Sequence, residues 1–494
     1  MIRLFRNKRA KLLLLLLDAL LIYDSYGLAK LVLAPSEESL WAADSSGYGF
    51  TWGMLWMILF TVTTYYFYNL YDLAGRRKPS QMLWNLLLAH LFIGAEFIVL
   101  SYLMGGMVMP AYVLFGGFAI QLGLSFSLRV LVFLIQRQGF GRKRTIAVVG
   151  GTFGGYGDPA LSSLLRKGEP WFRIERIVRE DELQEKLHEE EWSGMEALLL
   201  GPGLSVQTKE QWSAAAGERN MEVVIIPDFY ELYMADAEPQ QLDDLLVYSL
   251  LPPRLSLPER CAKRLLDLVV SSLLLLLASP VLLGLFLVIP LSSRGKALYV
   301  QERVGFKEQP FRLFKFRSMV EGAEDVTGPV LAGREDARIT PLGQFIRATR
   351  LDELPQLFNV LLGHMSLVGP RPERAFFISR FKEKLPHYTY RLMVKPGLTG
   401  YAQVMAGYAT TPSDKLRYDL MYIKQYSLLL DIKILFQTVR VMLQRQQAEG
   451  VETASLVEEK AENLIAESNA GAAGFEVTAE TLEAVPEMRA VKTM

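Results

Sequence analysis

The stretch Lys263-Arg-Leu-Leu-Asp-Leu-Val-Val-Ser-Ser-Leu-Leu-Leu-Leu-Leu-Ala-Ser-Pro-Val-Leu-Leu-Gly-Leu-Phe-Leu-Val-Ile-Pro-Leu291 decides how this chain is organised. Its apolar part exceeds the ~20 residues that a helix needs to cross a bilayer. It is interrupted at Ser279-Pro280. Proline has no N–H and clashes one turn back, so it kinks or breaks a helix. Both flanks are basic, with Arg260, Lys263 and Arg264 before and Arg294 and Lys296 after. Basic residues favour the cytoplasmic face. A straight crossing would place everything after residue 296 outside. A broken hairpin over 264–291, entering and leaving on one face, satisfies both flanks, and this re-entrant membrane helix is the reading preferred here. The break needs internal hydrogen bonds, and Ser279 is placed to supply one.

Four further apolar runs precede it, at roughly 12–33, 51–71, 82–104 and 110–135. Each is close to bilayer length. The first has no small-residue cleavage site and is followed at once by more spans, so it does not read as a cleaved signal peptide. Arg3, Arg6, Lys8, Arg9 and Lys11 come before it, and the 34–50 loop has Glu37, Glu38 and Asp44 but no base. Arg76, Arg77 and Lys78 follow, and Arg137, Arg142, Lys143 and Arg144 come after the fourth run. This alternation puts the N-terminus and everything beyond residue 137 in the cytoplasm. Asp18 and Asp24 inside the first run either face helix neighbours or sit near the interface.

At roughly 150 residues per domain, 494 residues suggest about three domains. Apolar residues, 51% of the chain, gather in blocks, which excludes a purely soluble or a disordered protein. Cys261 is the only cysteine, which excludes a disulfide scaffold. No Asp-x-Asp triplet occurs, which weighs against a metal-dependent nucleotide-sugar glycosyltransferase. The tail from Glu449 holds ten Glu against three Lys/Arg, an acidic low-complexity composition that suggests disorder.

Between 144 and 250, strand candidates at 145–149, 174–178, 197–200 and 223–226 alternate with helical stretches such as 181–190 and 207–219. That alternation suggests a parallel sheet. The first strand runs into Gly150, Gly151, Gly154, Gly155 and Gly157. Such a turn lets backbone amides approach a phosphate. Thr152 breaks the G-x-G-x-x-G spacing, so a structural or regulatory α/β domain is the stronger reading and a nucleotide site the weaker.

Chemistry concentrates between Gln301 and Asp431. Pro310-Phe-Arg-Leu-Phe-Lys-Phe-Arg-Ser-Met319 reads as a strand, on which Lys315 and Arg317 share one face. Two cations on one face suit a diphosphate, and a solvated basic edge is the plain alternative. Thr340-Pro341 starts a helix on which Arg347 and Arg350 share a side. In Arg350-Leu-Asp-Glu-Leu-Pro-Gln356, a new helix is expected over 353–362, with Gly363 as its stop. Asp352 then lies at a helix N-terminus, either as a simple N-cap or as an ionised nucleophile where a phosphoryl group is received. Adjacent Asp352 and Glu353 point apart. Division of labour therefore suits them better than a shared proton: Asp352 as nucleophile and Glu353 as a Mg²⁺ ligand beside substrate phosphates. Gly369-Pro-Arg-Pro372 pins Arg371 between prolines, and Pro396-Gly-Leu-Thr-Gly400 makes a tight loop before Tyr401-Ala-Gln403.

Residues 260–445 resemble the bacterial sugar transferase domain of the monotopic phosphoglycosyl transferases, also called polyprenyl-phosphate hexose-1-phosphate transferases. The matching stretches are Lys263-Arg264 with Asp267, Ser279-Pro280, Gln301, Arg303 and Gly305, 315–319, Arg338-Ile-Thr340, 351–356, 368–372, 396–400 and Tyr418-Asp419. The long form of that family implies four membrane helices (1–136), a Rossmann-like α/β domain (137–255), a mainly helical monotopic catalytic domain with the re-entrant helix (256–446), and here an added acidic tail (447–494). The resemblance further implies a bacterial inner-membrane enzyme. Asp352 would attack the sugar-bearing phosphate of a UDP-sugar, release UMP, and pass the phosphosugar to undecaprenyl phosphate to start exopolysaccharide, capsule or O-antigen assembly. Glu353 would bind Mg²⁺, and Lys315, Arg317, Arg347, Arg350, Arg371 and Gln403 would hold substrate phosphates. Glucose or galactose is the expected sugar. A homodimer is expected from long relatives, and no nucleic-acid partner is. Many relatives carry Asn-Gly-Arg after the glycine loop, where this chain has Met405-Ala406-Gly407. Two other classes remain: a membrane sensor whose middle domain binds a dinucleotide, against which the irregular glycine turn counts, and a membrane phosphatase with the same Asp nucleophile.

Overall fold

The structure, a computed structural model, describes residues 8–33, 48–72, 79–103, 111–140, 143–150, 172–180, 192–235, 237–250, 255–323, 336–385, 387–405 and 411–443. Most of the 34–50 loop, the bases at 76–78, the glycine turn beyond Gly150, the helix expected at 181–190, Ala406-Gly407 and the acidic tail lie outside the described residues. The chain forms two compact units, 1–142 and 143–494.

Among its described residues the first unit has four helices: α1 (Lys8–Leu33), α2 (Tyr48–Phe67), α3 (Pro79–Leu103) and α4 (Ala111–Phe140). Within α1, α3 and α4, the stretches Arg9–Leu33, Pro79–Val99 and Ala111–Gln136 are long and apolar enough to cross a membrane, and α2 has a shorter apolar stretch, Gly53–Phe67. Their outer faces are Leu, Val and Ile, while polar residues turn inward. Asp18 is buried and meets Arg129 of α4 in a two-pronged pair, 2.6 Å on each prong. Asp24 is exposed. A buried charge in a membrane bundle needs such a partner. Tyr65 of α2 donates to Ser125 and accepts from Gln121, each at 3.2 Å, which fastens α2 to α4.

The second unit opens with the expected parallel sheet. β1 (Lys143–Val149), β2 (Phe172–Arg179), β3 (Ala197–Leu200) and β4 (Glu222–Ile225) lie in the order β2-β1-β3-β4. β3 is buried along its whole length, as a central parallel strand must be. α5 (Val206–Glu218), capped by Ser205, covers one face through Trp212 and Ala216. A short α6 (Phe229–Met234) and an exposed antiparallel hairpin, β5 (Glu238–Leu242) with β6 (Leu245–Ser249), lead on to α7.

α7 runs from Leu257 to Ser292 as a single helix of 36 residues, with Pro280 and Pro290 inside it. Ser256 and Glu259 close its N-terminus as a reciprocal capping box. The expected division at Ser279-Pro280 is bridged for a physical reason. Pro280 cannot donate to the Leu276 carbonyl, and the Ser279 hydroxyl donates to it instead, at 2.7 Å. The N-terminal part is tied down by charge. Lys263 reaches Asp431 at 2.6 Å and the Val368 carbonyl at 3.0 Å. Arg264 donates to the carbonyls of Val360 and Leu361, each at 2.7 Å. Asp267 accepts from Ser366 Oγ at 3.0 Å and Leu367 N at 2.9 Å. At the other end Ile289 is buried with Ala297, Phe316 and Ile346. Between these ends the side chains stand out: Leu276, Leu277, Leu283 and Leu287 are each 67–70% exposed. An apolar patch of that extent marks a surface meant for lipid or a partner.

The remaining elements build the carrier of the site: the antiparallel pair β7 (Leu298–Val304) and β8 (Pro310–Phe316), then α8 (Pro341–Ala348), α9 (Gln356–Leu361), β9 (Ser366–Val368), α10 (Ala375–Lys384), β10 (Gly397–Thr399), α11 (Tyr401–Met405), α12 (Pro412–Lys424) and α13 (Leu428–Leu443). Their core gathers Leu313, Leu357, Val360, Leu367, Tyr422 and Ile434. Each buried Leu or Ile contributes about 1.5–3 kcal/mol of transfer free energy.

Candidate active site

Two apolar side chains place the carboxylates. Leu351 packs on Ile289, Phe316 and Ile346, and Leu354 packs on the core around Leu313 and Leu357. Between them Leu351–Glu353 coils into a single 3₁₀ turn, entered through Arg350 in the left-handed conformation (φ 58°). α9 begins only at Gln356, so the helix expected from Glu353 starts three residues late. Asp352 therefore sits in the turn and not at a helix N-terminus. α8 likewise stops at Ala348, and the left-handed Arg350 beyond it does not share a helix face with Arg347. α8 can lie against the end of β8 because Gly343 has no Cβ, which would overlap the Ser318 carbonyl. Asn359, buried in α9, accepts from Phe314 N at 3.0 Å and donates to Arg312 O at 2.7 Å. It fixes the turn against β8, a role that nothing in the local sequence around it announced.

Glu353 is the hub. Its Oε1 accepts from Lys315 at 3.1 Å and from Arg371 at 2.8 Å. Asp352, beside it, is 8% exposed. Burial pushes the Asp352 carboxyl above its ordinary range, and the charge of Glu353 adds to this, against the pull of Lys315, Arg347 and Arg371. Burial acts on Glu353 in the same sense, but Arg371, Lys315 and Arg350 outweigh it and hold that carboxyl well below the usual range. Four cations thus act on two carboxylates, a surplus of two positive charges that suits a diphosphate.

The predicted phosphate ligands divide. Lys315, Arg347, Arg350 and Arg371 converge on the carboxylate pair. Arg317 does not. β8 ends at Phe316, and the Arg317 guanidinium turns to the C-terminal end of α7, donating to Ser293 O at 2.7 Å and to the Arg294 carbonyl. Cations favour the C-terminal end of a helix, and Arg317 serves there as a brace. Gln403 lies on α11, with its side-chain oxygen buried and without a hydrogen-bond partner among the described residues. Ser279 and Pro280 lie on the exposed part of α7.

Among the described residues no group of three His, Cys, Asp or Glu comes together to hold a metal. Glu353 would offer Mg²⁺ one protein carboxylate, and substrate phosphates would have to complete the shell, as is common for this ion.

The family described as bacterial sugar transferase matches residues 258–445. A UDP-glucose:undecaprenyl-phosphate glucose-1-phosphate transferase of Caulobacter vibrioides is 40% identical over 201 residues, 40% of this chain and 74% of the relative. The chain belongs to the bacterial sugar transferase family. Other relatives are similar over a smaller share of their own length. A UDP-N-acetylgalactosamine-undecaprenyl-phosphate N-acetylgalactosaminephosphotransferase of Aeromonas hydrophila is 44% identical over 184 residues, 37% of this chain and 43% of the relative. A UDP-glucose:undecaprenyl-phosphate glucose-1-phosphate transferase of Klebsiella pneumoniae is 37% identical over 222 residues, 44% of this chain and 48% of the relative. The match thus spans somewhat under half the length of these last two relatives.

Proposed function

We propose that this bacterial sugar transferase moves a hexose 1-phosphate from a UDP-sugar to undecaprenyl phosphate at the cytoplasmic face of the bacterial inner membrane. The observation that carries the reading is the buried Asp352-Glu353 pair surrounded by Lys315, Arg347, Arg350 and Arg371. A carboxylate oxygen of Asp352 forms a bond to the phosphorus that bears the sugar. The bond from that phosphorus to the UMP oxygen breaks, and UMP leaves with the electron pair. In the second half, a phosphate oxygen of undecaprenyl phosphate attacks the same phosphorus and Asp352 departs as carboxylate. Glu353 keeps Lys315 and Arg371 oriented, and these cations receive the diphosphate charge. Mg²⁺, held by Glu353 and substrate phosphates, would supply further neutralisation of that charge. The names of the relatives include glucose, galactose and N-acetylgalactosamine transfer, and glucose or galactose is the sugar proposed here. The assay is incubation of membranes with radiolabelled UDP-sugar, Mg²⁺ and undecaprenyl phosphate. Label entering the lipid phase with equal UMP in water supports the reading. Free phosphate without glycolipid points instead to a phosphatase, and neither product to a sensor.

The same proposal makes α7 a re-entrant anchor. Both of its ends are fastened to the catalytic fold, at Lys263, Arg264 and Asp267 and again at Ile289, while the leucines between them are exposed. If α7 crossed the bilayer, these two sets of contacts, both made to one catalytic fold, would lie on opposite sides of ~30 Å of hydrocarbon. The lone and exposed Cys261 makes this testable. Cys261, and Lys296→Cys in a Cys261→Ser background, are both expected to react with a membrane-impermeant maleimide in inside-out vesicles and not in right-side-out ones. Labelling of the two positions from opposite faces would make α7 a full crossing.

A further inference from the structure

We propose that Arg391 and Asp419 are positioning residues that set the place of the Arg371 guanidinium in the carboxylate site; this rests on the reading of that site given above. The loop that carries Arg371 is pinned by its backbone. Pro370 O accepts from Gly397 N at 2.9 Å, Arg371 O from Arg391 Nη2 at 3.0 Å, Pro372 O from Arg303 Nη1 at 3.1 Å, and Glu373 O from Val304 N at 3.1 Å. Four successive carbonyls thus have defined partners, and the one belonging to Arg371 is held by an interior guanidinium.

Arg391 lies in the 3₁₀ turn Tyr388–Met393 and is 4% exposed. Its Nε donates to Asp419 Oδ2 at 2.9 Å, Nη2 lies 2.8 Å from the same oxygen, and Nη1 donates to the Tyr388 hydroxyl at 2.7 Å. Asp419, on α12, is 1% exposed. A buried ion pair is often no better for stability than an apolar pair of the same volume, so stability alone is a weak reason for this one. The direction of Nη2 gives a specific reason. With Asp419 and Tyr388 holding the rest of the fork, the remaining Nη2 hydrogen has one orientation, and it meets the Arg371 carbonyl. The Arg371 side chain itself is 39% exposed and meets Glu353 at 2.8 Å. A long, half-exposed side chain keeps such a contact only if its backbone origin does not wander. A displacement of about 1 Å in a group that positions substrate can cost about 10²-fold in rate.

The test uses the full-length protein in lipid nanodiscs that contain undecaprenyl phosphate, with Mg²⁺, with UDP-glucose, UDP-galactose and UDP-N-acetylgalactosamine as donors and with steady-state UMP release as the readout. Arg391→Lys keeps the charge but loses the fork, and Asp419→Asn keeps the shape but loses the charge. Each is expected to lower kcat/KM by about 10–100-fold. In an Arg371→Ala background the same changes are expected to cost less than about 3-fold, because residues acting as a unit are not additive. Losses of equal size in both backgrounds would make the pair merely structural and overturn the proposal, as would full activity in either single variant. Should Arg391→Lys fail to fold, Asp419→Glu, which moves the carboxylate by one methylene, is read in the same two backgrounds. A crystal structure of a folded variant is the arm independent of turnover. Arg371 is expected beyond about 3.5 Å from Glu353, and an unmoved contact would overturn the proposal. If the unsubstituted protein releases UMP from none of the three donors, the reading of the site falls, and the crystallographic arm still decides the positioning role.

Discussion

Asp352→Asn is expected to abolish both UMP release and transfer of sugar phosphate to lipid, by at least about 10³-fold, the scale on which loss of a covalent nucleophile acts. The substitution is close to isosteric and leaves Glu353 bonded to Lys315 and Arg371. What disappears is the oxygen that forms the ester to phosphorus. Two readouts separate this from a binding defect. With UDP-sugar alone and no acceptor, the unsubstituted enzyme should release up to one equivalent of UMP, as the first half-reaction requires, and mass mapping should place the phosphosugar on position 352. The variant should show neither, while still taking up nucleotide sugar. Stability has a defined sign as well. Burial and the neighbouring Glu353 charge raise the Asp352 carboxyl, so at neutral pH its ionised form opposes folding. The neutral amide should therefore unfold at the same temperature or higher. Turnover within about tenfold of the unsubstituted enzyme would remove Asp352 as the nucleophile, and a phosphosugar trapped elsewhere would move that role to another residue.

The ease of reading this chain varied with how local the cause was. The apolar runs and the strands at 145–149 and 197–200 are legible because hydrophobic runs carry their own length and period. Asp18 could be flagged as unusual but not placed, since its partner Arg129 lies 111 positions away. Arg317 stands apart from the carboxylate pair because the two-residue spacing from Lys315 presumes a strand that continues. β8 stops one residue earlier, and the free carbonyls at the end of α7 claim the guanidinium. The same kind of cause moved Asp352 off a helix N-terminus. Leu351 and Leu354 are pulled into two different apolar clusters, and the backbone between them tightens into a 3₁₀ turn. Arg391 carries no local signal at all. It becomes informative only once the loop at 369–373 is seen resting on it.

Glu353→Gln is the substitution for which the electrostatics make several commitments at once. At saturating Mg²⁺ it is expected to lower turnover by about 10²-fold, the scale of removing one preorganised electrostatic group from a reaction centre, and to raise the Mg²⁺ concentration needed for half-maximal rate. The pH profile then supplies a sign. Asp352 must be ionised to attack, so activity should rise as pH passes upward through its elevated pKa and be lost as pH falls below it. Removing the Glu353 charge takes away one of the causes that raise Asp352. It also releases Lys315 and Arg371 from their carboxylate partner, leaving their positive charge to act more strongly on Asp352. Both changes favour ionised Asp352, so the acid limb of kcat/KM should move to lower pH even as the plateau drops. Arg371→Ala works in the opposite sense: a cation that favours ionised Asp352 is gone, and the limb should move to higher pH. If the two variants shift the limb in the same direction, the group titrating there is not Asp352. If the metal titration of Glu353→Gln is unchanged, Glu353 is not a Mg²⁺ ligand and acts only through the cations it holds.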